Sequence, residues 1–261
     1  MVSLTNVRKA FNDTEVLRSV SFHIATGERV SLIGIGGCGK TTLLRLMLNL
    51  LPLDDGQIKI MGATQEDDEW PTIIKKIGIA FQHGGLFDSM TVEQNLLFAM
   101  HRMTTFDRAK MTAKIVYLLE QTRLQKALHL FPYQLSGGMQ RRVGIARALA
   151  IEPTLAIFDE PAAGLDPVTS TLILDMIVNL CTDLNSSLLI ATSNVEIAIR
   201  FADRLLILHE GSIIADGNWR DLLVNGSEWV KHFLSVRLVG LDRQAAASLS
   251  LPAAFVKQHW A

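Results

Sequence analysis

Apolar positions along this chain switch between two periods, and the switches mark its elements. Val20, Phe22 and Ile24 alternate with Ser19, Ser21 and His23, which predicts a strand over 16–24 after an earlier one over 2–7. Short apolar runs at 29–33, 57–61, 77–81, 154–159, 187–191 and 205–208 predict further strands, several of them buried on both faces. Leucines at helical spacing predict a helix over 40–51, stopped by Pro52 and the turn Asp54-Asp55-Gly56. From 91 to 150 the pattern is helical. Thr91 with Gln94 forms a capping box, Asp107 caps a second helix, Pro132 breaks the pattern, and 140–150 is an Arg- and Ala-rich helix. Asp166-Pro167 is an N-cap with proline at the first helical position, and a last helix is expected over 194–202. Strands alternating with helices predict an α/β fold: a mostly parallel sheet core covered on both faces, an antiparallel β edge and a helical segment at about 88–150.

Between the strand at 29–33 and the helix that follows lies Gly34-Ile35-Gly36-Gly37-Cys38-Gly39-Lys40-Thr41-Thr42, which fits G-x-x-x-x-G-K-[ST]. Glycines let successive backbone N–H groups turn inward around phosphate oxygens, and the positive end of the helix dipole points the same way. Lys40 would reach the β- and γ-phosphates, and the Thr41 hydroxyl would ligate Mg²⁺. Phe11 and Val16 lie on the antiparallel edge ahead of this loop. Phe11 could stack on an adenine ring or serve as an ordinary core aromatic. The strand–loop–helix context predicts a nucleoside-triphosphate site.

Composition narrows the setting. In 261 residues, 49% are apolar and the net charge is −1, enough for a sizeable core and a poor match to a polyanionic partner such as nucleic acid. Two cysteines, Cys38 and Cys181, cannot build a disulfide framework, and the chain reads as cytosolic. The first ten residues carry no apolar core of signal-peptide type, and no run approaches the roughly 20 residues of a membrane span. A mean hydropathy of +0.26 leaves room for an apolar docking face. Glu66-Asp67-Asp68-Glu69 is expected to be a solvated loop, not a metal site.

Further segments, in order after the loop, resemble the ATP-binding-cassette (ABC) ATPases. Gln82 matches the family's glutamine loop. Leu135-Ser136-Gly137-Gly138-Met139 resembles the signature motif, with Met139 where Gln is usual and Gln140 after it. Leu155-Ala-Ile-Phe-Asp159-Glu160 resembles the Walker B strand with its glutamate, and Ala163-Gly-Leu-Asp166 the D-loop. The match runs over about 1–226. The resemblance implies a P-loop NTPase fold of ABC type whose cofactors are ATP and Mg²⁺. Asp159 and Gln82 would join Thr41 at the metal, and Glu160 would act as general base, with Gln82 also contacting the attacking water. Ser136 to Gln140 would close on the ATP of a second copy in a homodimer.

Two departures matter. The family places His where this chain has Ser193, a shorter side chain that cannot carry charge, so slow or partner-dependent hydrolysis, or ATP binding as a regulatory switch, is implied. Gly36 stands where Ser or Asn is common. Cys38 is a small spacer or an oxidation-sensitive thiol. The resemblance further implies transmembrane permease subunits docking near 82–88 and the helical segment, at the cytoplasmic face of the inner (plasma) membrane. A soluble cassette acting on ribosome or DNA is the reading that near-neutral charge opposes. Phe81-Gln82-His83-Gly84-Gly85-Leu86-Phe87 resembles the ATPases of Mla/Mce-type phospholipid transporters, as does Met139; an importer ATPase for another solute is the alternative. The C-terminal extension, 227–261, could offer Trp229, Phe233, Leu234, Leu238 and Leu241 to a second copy or a small partner, or pack on its own domain.

Overall fold

The computed structural model describes residues 1–82 and 85–239. Its first elements are β1 (Val2–Phe11), β2 (Thr14–Ile24), β3 (Arg29–Ile33), α1 (Lys40–Met47), β4 (Asp55–Ile60), β5 (Ala63–Thr64), α2 (Trp70–Ile74), β6 (Ile77–Ala80), α3 (Val92–Met103) and α4 (Arg108–Gln121). Then follow α5 (Gly137–Ala150), β7 (Leu155–Asp159), α6 (Pro167–Asp183), β8 (Ser187–Thr192), α7 (Val195–Phe201), β9 (Arg204–His209), β10 (Ser212–Gly217), α8 (Trp219–Asn225) and α9 (Glu228–Val239). The chain divides into two compact units.

One unit holds Ser3–His23, Arg29–Ile58 and the chain from Ala191, and carries the phosphate loop. In it β1 lies between β2 and β4. β1 outruns the strand expected over 2–7 because its inward alternation continues through Lys9, a lysine only 6% exposed. Its ammonium pairs with Asp54 at 2.5 Å, a partner that an apolar pattern cannot reveal. β9 runs parallel to β3, from Val30 opposite Arg204 to Ile33 opposite Ile207, and antiparallel to β10. β10, half-buried and weakly patterned, was not anticipated from the sequence. α1 stops at Met47, short of the expected 51. Asn49 takes a left-handed conformation (φ 56°), and the Leu50 N–H bonds back to the Arg45 carbonyl at 2.9 Å, a Schellman ending.

The core of this unit joins Ile33, Leu205 and Ile207 to Val195 and Ile199 of α7, Trp219 of α8, and Val230, Phe233, Leu234 and Leu238 of α9. Those α9 side chains alone contribute roughly 6–12 kcal/mol of gross apolar burial. The first part of the C-terminal extension thus packs on its own unit. Trp229 stacks on Phe233 with centroids 5.0 Å apart and lies 4.1 Å from the His209 ring. Leu241 and the rest of 240–261 lie outside the described residues.

The other unit holds Met1–Val2, Ile24–Glu28 and Lys59–Ile190. β6 and β7 pair in parallel, Ile77 opposite Leu155 through Ala80 opposite Phe158, with β8 on the far side of β7. Every residue of β7 is buried, as its unbroken apolar run requires. α5 packs against α3, α4 and β6. The expected caps form. Thr91 accepts the Gln94 N–H at 3.3 Å and Gln94 Oε1 the Thr91 N–H at 2.8 Å, while Asp107 accepts the Lys110 N–H at 2.7 Å. The acidic stretch at 66–69 is exposed and used locally, Asp67 accepting the Thr64 N–H at 2.6 Å. Short α2, which follows it, was not anticipated.

Candidate nucleotide site

The phosphate loop is shaped by glycine where glycine is required. A Cβ on Gly34 would sit 2.3 Å from the Leu208 carbonyl oxygen and 2.6 Å from Cys38 Sγ, so β3 meets β9 too closely there for any side chain. Gly39 adopts φ +108°, and its Cβ would lie 2.8 Å from Leu17 and 3.2 Å from the Val16 carbonyl. Gly37 also has positive φ (+79°), whereas Gly36 has neither a strained φ nor a neighbour within 4 Å. Ile35, Gly36 and Gly37 are exposed, Cys38 is buried, and Thr41 and Thr42 are half-buried.

Gly39 caps α1 without a side chain, and no acid stands in the first turn, so the positive end of the helix dipole meets no carboxylate of its own. The buried Lys40 lies across the loop, its ammonium donating to the carbonyls of Gly34 (2.9 Å) and Ile35 (3.2 Å). Exposed small residues, a helix N-terminus and a loop-spanning cation fit a polyphosphate. Val16, whose carbonyl lies against Gly39, is half-buried, and Phe11 is 42% exposed, which excludes Phe11 as a core aromatic. The Lys9 ammonium lies over the Phe11 ring, 5.5 Å from its centroid. Ser193 belongs to this unit too, exposed between β8 and α7, where the Asn194 side chain caps α7 by accepting the Ile197 N–H at 3.1 Å.

In the other unit Asp159 is buried (2% exposed) at the end of β7, and Glu160, half-buried, follows it with φ 47°. Among the described residues no group of three or more His, Cys, Asp or Glu could hold a metal. A lone carboxylate and, in the phosphate-loop unit, a threonine hydroxyl are hard oxygen donors. Each by itself is the donor type that a hard ion such as Mg²⁺ prefers. Ser136 caps α5, its hydroxyl accepting the Met139 N–H at 3.3 Å, with Gly137 and Gly138 in the first turn. The Gln140 amide turns back to the carbonyls of Pro132 (2.8 Å) and Leu135 (3.4 Å), holding the turn before the helix. Asp166 caps α6, and the Thr169 hydroxyl and N–H hold its carboxyl below the usual carboxylate range.

Gln82 is exposed just after β6, while His83 and Gly84 lie outside the described residues. Here the structure shows side chains that sequence reasoning missed. The Arg141 guanidinium bonds the Ala163 carbonyl and, at 3.5 Å, that of Gln82, so one residue of α5 touches both the glutamine and D-loop segments. Arg147 donates to the Gly85 carbonyl at 2.7 Å and lies 5.7 Å from the Phe87 ring centroid. Asn95, fully buried on α3, accepts the Phe87 N–H at 2.9 Å and donates to the carbonyls of Phe87, Met90 and Thr91 at 3.0–3.2 Å. The arginine richness of α5 was the one available signal. Cys181 is buried in α6, which pushes its thiol up to about 12, so it is no thiolate at neutral pH.

Comparison with known proteins agrees with this geometry. The family model for ABC transporters matches residues 17–163. "Protein TRIGALACTOSYLDIACYLGLYCEROL 3, chloroplastic" of Arabidopsis thaliana is 33% identical over 92% of this chain and 75% of its own length. The methionine import ATP-binding protein MetN of Brucella abortus is 34% identical over 83% of this chain, which spans only 59% of that relative. Among solved structures, the ATP-binding cassette MJ0796, a dimer in a post-hydrolysis state bound to ADP and Pi, superposes with a TM-score of 0.76. It is 29% identical over 84% of this chain and 98% of its own. With the family model matching more than half of the chain and a relative 33% identical over 92% of it, the chain belongs to the ABC transporter family, as an ATP-binding, ATP-hydrolysing subunit.

Proposed function

We propose that this chain powers a lipid transporter, of phospholipid and of Mla/Mce type, from the cytoplasmic face of the inner membrane. The phosphate loop carries the nucleotide half of the reading: Lys40 would exchange the Gly34 and Ile35 carbonyls for β- and γ-phosphate oxygens. Gly34 to Thr42 would cradle the phosphates, with Phe11 and Val16 against the base. Thr41, Asp159 and Gln82 would hold Mg²⁺, which when bound neutralises charge on the phosphates. Glu160 would orient the attacking water and accept its proton, with Ser193 near the γ-phosphate. Ser136 to Gln140, with Asp166, would complete the site of a second copy, as the dimeric MJ0796 cassette suggests. Residues 1–226 would form the cassette, with 88–150 as its helical subdomain. Among the described residues no helix is long and apolar enough to cross a membrane, so separate permease subunits, docking near 82–88, would supply the path. A further small partner would bind the extension at 227–261.

The lipid substrate rests on the 81–87 stretch, and a relative that covers 92% of this chain and is named for a galactolipid supports it. The methionine importer among the relatives keeps a second reading, an importer of another solute. Ser193 favours a third, a regulatory cassette with little turnover. The deciding experiment measures phosphate release with the permease in liposomes of phospholipid, beside Glu160→Gln. Turnover raised by the permease and its lipid, and lowered about 10³-fold in the variant, is expected. Tight ATP binding with no release under any condition would leave only the regulatory cassette.

A further inference from the structure

The ion pair at the end of β1, between buried Lys9 and exposed Asp54, is the best-made feature of the phosphate-loop unit that no role above uses. Lys9 takes an inward strand position and is 6% exposed, where a lysine is costly unless paired. Asp54 supplies the pairing twice over. Its Oδ1 accepts from the Lys9 ammonium at 2.5 Å and its Oδ2 from the Ala10 backbone N–H at 2.8 Å. Those contacts bracket the two residues immediately before Phe11, the strand's last residue. The same ammonium lies over the Phe11 ring, 5.5 Å from its centroid. Lys9 and then Ala10 hold the Asp54 carboxyl below the usual carboxylate range.

Asp54 is also placed to connect two halves of one site. It lies at the end of the segment that leaves the phosphate loop through α1 and turns at Pro52 into β4 (Asp55–Ile60). A strand end is free to fray unless its last residues are tied, and an aromatic ring gives useful stacking only when its plane is held in advance. We propose that Asp54, acting through Lys9 and the Ala10 N–H, is a positioning residue for the nucleobase: it fixes the Phe11 ring relative to the phosphate loop so that an adenine can stack on it. The inference rests on Phe11 as the stacking residue, and its test separates the two.

Calorimetric titration of the full chain with Mg-ATP and with Mg-tripolyphosphate, which has no base, reads the clamp directly. Asp54→Asn keeps an acceptor for Ala10 but removes the charge. It is expected to weaken ATP binding about 5-fold, leave tripolyphosphate binding unchanged, and add nothing to Phe11→Ala, which alone should cost on the order of 10-fold. Lys9→Met, of similar length and without charge, should reproduce Asp54→Asn. If Phe11→Ala weakens ATP binding while Asp54→Asn and Lys9→Met do not, the positioning role is overturned and stacking stands. If Phe11→Ala changes nothing, stacking itself fails. Equal loss for ATP and tripolyphosphate in Asp54→Asn would place its effect on the phosphate loop and overturn the inference.

Discussion

The loop at 34–42 and the segment at 82–87 are both expected at the reaction, yet the loop and the described residues of the segment, Gln82 and 85–87, are held by opposite means. The first is built from its own backbone: Gly34 lies too close to the Leu208 carbonyl for a side chain, Gly37 and Gly39 take positive φ, and α1 begins without a side-chain cap. In the second, Gln82 and Gly85 are held by Arg141 and Arg147 of α5, 59 and 62 residues on, and Phe87 by the buried amide of Asn95. A backbone-built loop is stiff and states its geometry in its residue types. A segment held by a few side chains can change shape when one of them lets go, which suits a place where a partner subunit must be felt.

The largest effect should come from adding one methyl group to the backbone-built loop. Gly39→Ala must place a Cβ at φ +108° and 2.8 Å from Leu17. Strain and overlap together should cost about 4 kcal/mol. Gly36→Ala, with open space and ordinary φ, should change stability by less than about 0.5 kcal/mol. Denaturant unfolding of both variants checks this. Equal losses would mean that glycine identity, not local geometry, shapes the loop.

That contrast also explains what could be read in advance. The phosphate loop, the caps at Thr91, Asp107 and Asp166, and the strand at 154–159 are legible because each is decided by residues adjacent in sequence. Lys9 defeated the reading of β1 because its partner is 45 residues away. Arg147 and Gly85, 62 residues apart, are invisible to any local pattern. Nor could periodicity show that the Gln140 amide is turned back onto Pro132, since its neighbours on α5 give no sign of which face it takes.

The segment at 82–87 offers the next largest effect. Asn95→Ala leaves the Phe87 N–H and three carbonyls without the buried amide that served them, and opens a cavity between α3 and the turn. About 3 kcal/mol of stability should be lost. Hydrogen exchange should rise first in 85–91. Exchange that rises evenly across the whole unit would show that Asn95 supports the fold at large and not this segment.

The smallest structural effect, and the most informative chemical one, belongs to Ser193. Its turn is built like the phosphate loop, from its own neighbours: Thr192 Oγ1 accepts the Asn194 N–H at 3.1 Å, and Asn194 Oδ1 accepts the Ile197 N–H at 3.1 Å. The Ser193 side chain itself is exposed. Ser193→His should therefore leave the unfolding midpoint within about 1 °C, so that any change in turnover is chemical. Imidazole reaches further than a hydroxyl and can carry charge beside a γ-phosphate. If the missing contact limits hydrolysis, phosphate release should rise about tenfold, a fraction of the 10²–10³ that a full transition-state donor is worth. A fold left intact with turnover unchanged would show that this cassette does not use the position, and would withdraw the one residue that argues for a regulatory role. A rise in turnover would show instead that the turn was already shaped for a longer side chain, and that serine at 193 holds hydrolysis down without altering the fold.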